Sequence, residues 1–160
     1  MPRHLVTAAW GGGVGGLLDI IYALVLWGVI LGDNPTGVLQ SIASGLLGSS
    51  AFEGGISTAL LGLALHFLIA FLMALAYVLA ATRMPLLTSR PWLMGAAYGV
   101  VLYAVMNFVV VPLSAIGFRP PSFWGSVRAL LPHVIFVGPA IALFAARARP
   151  AVRKGSKPRP

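Results

Sequence analysis

The sequence predicts an all-α fold: an integral membrane four-helix bundle with a short interfacial helix between its first two spans. Three observations carry that prediction. The chain is 59% hydrophobic and only 9% charged, with mean hydropathy +0.94, where soluble domains carry about 25% charged residues. Residues 54–82 run without one formally charged side chain, and about 20 apolar helical residues suffice to cross a bilayer. Three further apolar runs of similar length are separated by connectors that hold proline, glycine and nearly all the remaining charge.

The first span is expected at residues 10–31, after the basic start MPRHL. A secretory signal peptide is the rival reading, but Asp19 interrupts the apolar run and no small-residue cleavage pattern follows it. Gly11, Gly13 and Gly16 formally match a dinucleotide-binding G-x-G-x-x-G. That fingerprint needs a preceding strand and an acidic residue about 20 positions on, and neither is present. The same glycines are better read as a surface for close helix packing, with Gly12 and Gly16 at the G-x-x-x-G spacing.

Residues 32–55 hold Asp33 and Glu53 and no basic residue. Asp33, Asn34 and Pro35 make a turn. Val38, Leu39, Ile42 and Leu46 then recur at helical spacing, with Gln40, Ser41 and Ser44 off the stripe, and Gly54 and Gly55 close the segment. The expectation is a short helix at the outer interface or tucked into the bundle mouth.

The second span is expected at 56–81 and the third at 92–113, joined by a connector whose prolines, Pro85 and Pro91, forbid helix continuation. A loop with Pro120 and Pro121 leads to the fourth span, at 123–146. Residues 1–146 thus form a single transmembrane domain, and 147–160 a basic cytoplasmic tail.

Orientation follows the basic residues. Arg3, Arg83, Arg90 and the tail residues Arg147, Arg149, Arg153, Lys154, Lys157 and Arg159 fall on one side, Arg119 and Arg128 on the other. Both termini are therefore expected in the cytoplasm. Trp10, Trp92 and Trp124 stand near span ends, where indole favours the headgroup region. The net charge of +8 is explained by this placement, and no nucleic-acid partner is expected. There is no cysteine, which removes disulfides and thiolate chemistry together.

Each span carries one polar residue that hydrocarbon disfavours: Asp19, His66, Asn107 and His133. A charged group at that depth costs about 2.5 kcal/mol or more if unpaired. Rows of small residues at i, i+4 spacing share their faces: Thr58, Gly62, Ala70 and Ala74 with His66; Gly95, Gly99 and Tyr103 with Asn107; Gly125 and Ala129 with His133. These faces should point inward and bring the four polar groups together. Such a cluster has several readings. It is a hydrogen-bonded knot that fixes helix register, a proton or ion path, or a bis-histidine haem b site through His66 and His133. No metal-ligand spacing is evident, and no nucleophile, base and oxyanion arrangement points to a hydrolase. Neither an enzymatic activity nor a cofactor is therefore expected.

IASGLLGSSAFEGG (42–55), TALLGLALHF (58–67), YGVVLYAVMNFVVVPLSA (98–115) and the later His133 resemble segments of small four-span bacterial inner-membrane proteins, the YagU-like group. The resemblance covers most of residues 15–144. It implies a bacterial inner membrane and four helices, with no established chemistry. Two functions follow as expectations. One is a small proton- or ion-conducting or transport unit, with a homo-oligomer needed because so small a bundle leaves little room for a cavity. The other is a non-enzymatic accessory or scaffold subunit of a larger membrane complex, packing through its Gly and Ala faces.

Overall fold

The computed structural model describes residues 1–118, 120 and 122–148. Arg119, Pro121 and the tail residues from Arg149 onward, which carry part of the orientation argument, lie outside them. The described chain is helical throughout, with four helices long and apolar enough to cross a membrane: α1 (Arg3–Ile30), α3 (Gly55–Arg83), α5 (Pro91–Leu113) and α6 (Phe123–Arg147). Two short helices, α2 (Pro35–Leu47) and α4 (Leu86–Ser89), lie in the connections.

α1 begins seven residues before the expected boundary, because no proline follows Pro2 within the helix and Gly11, Gly12, Gly15 and Gly16 are held by packing. Its 28 residues at about 1.5 Å each give about 42 Å, against about 30 Å of hydrocarbon. The helix is thus longer than a bilayer crossing requires, and Trp10 lies exposed on it. Gly32, at φ 78°, ends the helix, and the Asp33 amide donates back to the Trp27 carbonyl at 2.8 Å. Asn34 Oδ1 then accepts from the Thr36 amide at 2.9 Å, and Pro35 starts α2.

A short helix does form here, α2, and it buries polar and small residues. Its buried residues are Gln40, Ala43 and Ser44, whereas Leu46 and Leu47 are exposed. Gln40 Nε2 donates to the Gly55 carbonyl (3.0 Å) and to Thr58 Oγ1 (3.2 Å). The Gly62 hydrogen lets the Leu39 carbonyl rest directly on α3. Of the apolar stripe, Val38, Leu39 and Ile42 are half-buried, Val38 and Ile42 bordering the cavity described below, and Leu46 alone is exposed.

Glycines set most helix contacts. A side chain at Gly12 would lie 2.7 Å from the Ala70 carbonyl, and at Gly16 3.0 Å from Ala70 Cβ, which seats α1 on α3. Gly11 and Gly15 form a second flat face, against Ile141 and Val137 of α6. Gly95 meets Pro139, Gly99 meets the His133 carbonyl and Gly138 meets the Gly95 carbonyl, closing α5 onto α6. The α3–α5 gap is bridged by rings: Tyr98 Oη donates to the Met73 carbonyl at 2.8 Å, and the Tyr98 and Tyr77 rings lie 4.7 Å apart.

The packed core occupies one half of the molecule, where Ala8, Ala74, Tyr77, Leu102, Ile141 and Ala142 meet. α4 closes this end, with Tyr77 Oη donating to the Leu87 carbonyl at 2.8 Å. Met1, Arg3 and Ala148 border one shallow hollow there, so the start of α1 and the end of α6 are neighbours. In α6 the buried run is 137–142 with Ala145. The expected Gly125 and Ala129 face is only half-buried, because α6 approaches its neighbours most closely at Gly138.

Candidate functional site

Beyond the packed half, the four long helices separate around a cavity of about 700 Å³. Asp19, His66, Asn107 and His133, one from each long helix, all line it. α2 and its preceding turn supply a further wall with Asp33, Asn34 and Ser41. The rest is mainly apolar, and Trp27, Phe52 and Met106 are part of it.

The backbone changes register where it borders this space. α1 is π-helical over Leu24–Ile30, α5 over Met106–Val110 and α6 over His133–Val137. A π turn carries one extra residue and is frequent at functional sites. In α5 the turn closes with the Val111 amide donating to the Met106 carbonyl, and Pro112 comes next. In α6 Gly138 donates to the His133 carbonyl, and Pro139 comes next. A proline has no amide hydrogen to place, so the ladder can shift by one residue immediately before it.

The polar residues serve these shifted turns. Asn107 Nδ2 donates to the Tyr103 carbonyl at 3.0 Å, and His133 Nδ1 donates to the Ala129 carbonyl at 2.7 Å. Each supplies a side-chain donor to the carbonyl four residues back, where the i−4 ladder gives way. His66 Nε2 donates across helices to the Gly16 carbonyl at 2.8 Å. A carbonyl only accepts, so the donating nitrogen carries the proton in each imidazole. In the neutral ring this leaves Nδ1 of His66 and Nε2 of His133 as acceptors.

The four residues therefore do not form a mutual knot. Among the described residues they bond to backbone, and the Asp19 carboxylate makes no hydrogen bond or ion pair. Two of the chain's three acidic residues border the cavity, and no described Lys or Arg does. No group of three or more His, Asp or Glu side chains capable of holding a metal ion occurs among the described residues.

Sequence reasoning missed Trp27, Asp33 and Ser41 as lining the same cavity as Asp19, His66, Asn107 and His133. For Asp33 and Ser41 a signal was present in the acidic, Lys-free segment 32–55, expected at the outer interface or in the bundle mouth, but its spacing did not name the residues that border the cavity. Gly138 and Gly15 were also missed as packing residues. No protein-family model, curated protein or solved structure matches this chain.

Proposed function

We propose that this is a multi-pass bacterial inner-membrane protein, a four-helix bundle that binds a cation in its half-membrane cavity and acts as a small transport unit. The observation that carries the reading is the convergence of Asp19, His66, Asn107 and His133 from four helices on one space that no described Lys or Arg enters. A carboxylate in a mainly apolar cavity is stabilised by a proton or a cation. Asp19 is the binding group, and His66 and His133 are the exchangeable donors and acceptors beside it. No reaction is proposed.

In this reading α1 starts in the cytoplasm, the packed half lies on the cytoplasmic side and α2 caps the cavity from the periplasmic side as an interfacial helix. Arg3, Arg83, Arg90 and Arg147 at the packed end, against Asp33 and Glu53 at the other, support that orientation. The bilayer is the main partner, and the likeness to YagU-like proteins is kept as part of the proposal. One chain has a cavity of about 700 Å³, which supports a transport reading for so small a bundle. An exposed glycine row on the outside of the bundle would favour the accessory-subunit reading; the G-x-x-x-G glycines and those of α5 meet neighbouring helices within the chain.

The test is proton flux into liposomes under a potassium diffusion potential, read with an internal pH dye. Wild-type vesicles are expected to conduct and Asp19→Asn vesicles are not. Equal leakage from wild-type, Asp19→Asn and empty vesicles would remove the transport reading.

A further inference from the structure

We infer that the ligand of this cavity is a lipophilic organic monocation of drug-like size, with Asp19 as its counter-ion. The inference rests on the transport reading and adds the chemical class of what is bound.

Volume is the first argument. About 700 Å³ lies within the roughly 300–1,000 Å³ of small-molecule sites, far more than a bare ion fills. A hydrated inorganic ion would also need several oxygen ligands in place of its water. The walls instead offer mostly carbon and thioether surface, including Ile69, Met73 and Met106. Methionine is unbranched and polarizable, which suits ligands of varied outline.

Charge is the second argument. The cavity borders two carboxylates and no described cationic side chain, in a protein of net charge +8. An anion would meet no compensating charge there. A neutral lipid would leave the Asp19 carboxylate, which has no polar partner among the described residues, desolvated and uncompensated. A monocation answers that carboxylate directly, while Asp33, in the turn before α2, adds attraction nearer the cavity's outer end. Trp27 and Phe52 supply ring faces, which attract delocalised or quaternary cations.

The experiment uses full-length protein in detergent and radiolabelled tetraphenylphosphonium in a proximity binding assay, with triphenylphosphine oxide as an uncharged competitor of similar shape. Saturable binding is expected, weakened about tenfold or more by Asp19→Asn, retained by Asp19→Glu and not displaced by equimolar triphenylphosphine oxide. Gel filtration and melting of each variant verify that it is folded. Saturable binding unaffected by Asp19→Asn, or displaced equally well by triphenylphosphine oxide, would reduce the signal to apolar partitioning and overturn the inference. Absence of tetraphenylphosphonium binding alongside Asp19-dependent proton flux would overturn the substrate class and leave the transport reading standing. Absence of both would overturn both.

Discussion

Tyr22 of α1 donates its hydroxyl hydrogen to the Arg128 carbonyl of α6 at 3.1 Å. Arg128 is the residue four before Pro132, whose missing amide leaves that carbonyl without its helical donor. A proline inside a membrane helix and a tyrosine on its neighbour thus form one structural unit. The bond joins the two helices beside the cavity wall, one turn from Asp19.

Tyr22→Phe should therefore destabilise the protein by about 0.6 kcal/mol, rising toward about 1.5 kcal/mol because the acceptor is left unsatisfied. Pro132→Ala restores a backbone donor, so the double variant should show a smaller loss than Tyr22→Phe alone. Thermal melts or denaturant titrations in detergent, analysed as a double-mutant cycle, give the coupling. Additive effects would mean that proline and tyrosine do not share the carbonyl.

Adjacent glycines on α1 should respond with opposite signs. At Gly12 an added methyl meets the Ala70 carbonyl at 2.7 Å, whereas at Gly13 nothing lies within 4 Å. Gly12→Ala forces α1 away from α3 and should cost about 1–3 kcal/mol. Gly13→Ala should be neutral or stabilising by up to about 1 kcal/mol, because alanine is the better helix former. Gly99→Ala, aimed at the His133 carbonyl, should behave like Gly12→Ala and also distort the cavity wall. Equal melting temperatures for Gly12→Ala and Gly13→Ala would contradict the packing described.

The sequence is most legible where the bilayer dictates the pattern. Apolar runs, prolines and connectors pointed to four helices long and apolar enough to span a membrane, with starts and ends close to those observed except at α1. Small residues four apart singled out Gly12, Gly16, Gly62, Gly95 and Gly99, and at each of them an added Cβ would meet a neighbouring helix. The same reasoning was weaker for α6. Its Gly125 and Ala129 row is half-buried, because two prolines and a π turn rotate the later residues out of simple i, i+4 register. For α2 a short helix at the outer interface or in the bundle mouth was expected, but which of its residues would meet the protein was not read. Gln40 and Ser44 are buried because Gln40 reaches the Gly55 carbonyl and Thr58, contacts that its spacing does not announce. The four polar residues were singled out, yet their bonding was not. Tertiary carbonyls such as Gly16 and π-turn carbonyls such as Tyr103 and Ala129 leave no mark in a residue pattern.

Asn107 and His133 should prove part of the backbone ladder as well as of the cavity. Asn107→Leu and His133→Leu each remove the side-chain donor to a carbonyl four residues back, and each should lower stability by about 1 kcal/mol. His66→Leu should leave insertion intact and loosen α1 from α3 through loss of the Gly16 contact, by about 0.6 kcal/mol or somewhat more. Melts of the three variants in one detergent compare these effects directly. An unchanged melting temperature for His133→Leu would show that the π turn needs no side-chain donor.

The native chain has no cysteine, so single cysteines can report the cavity and the orientation together. Ser41 is exposed and borders the cavity, while Ala142 is fully buried in the packed half. With α2 on the periplasmic side, Ser41→Cys should react with a charged, membrane-impermeant thiol reagent added to intact cells. Ala142→Cys should react only after denaturation. Leu46→Cys, at 62% exposure on the outward face of α2, separates two positions of that helix. Charged-reagent labelling places it at the water boundary, and labelling only by a lipid-soluble maleimide places it within hydrocarbon. Reaction of Ser41→Cys in inverted vesicles but not in intact cells would reverse the assigned orientation while leaving the cavity itself unchanged, because the cavity argument depends on which residues meet and not on which side of the membrane they face.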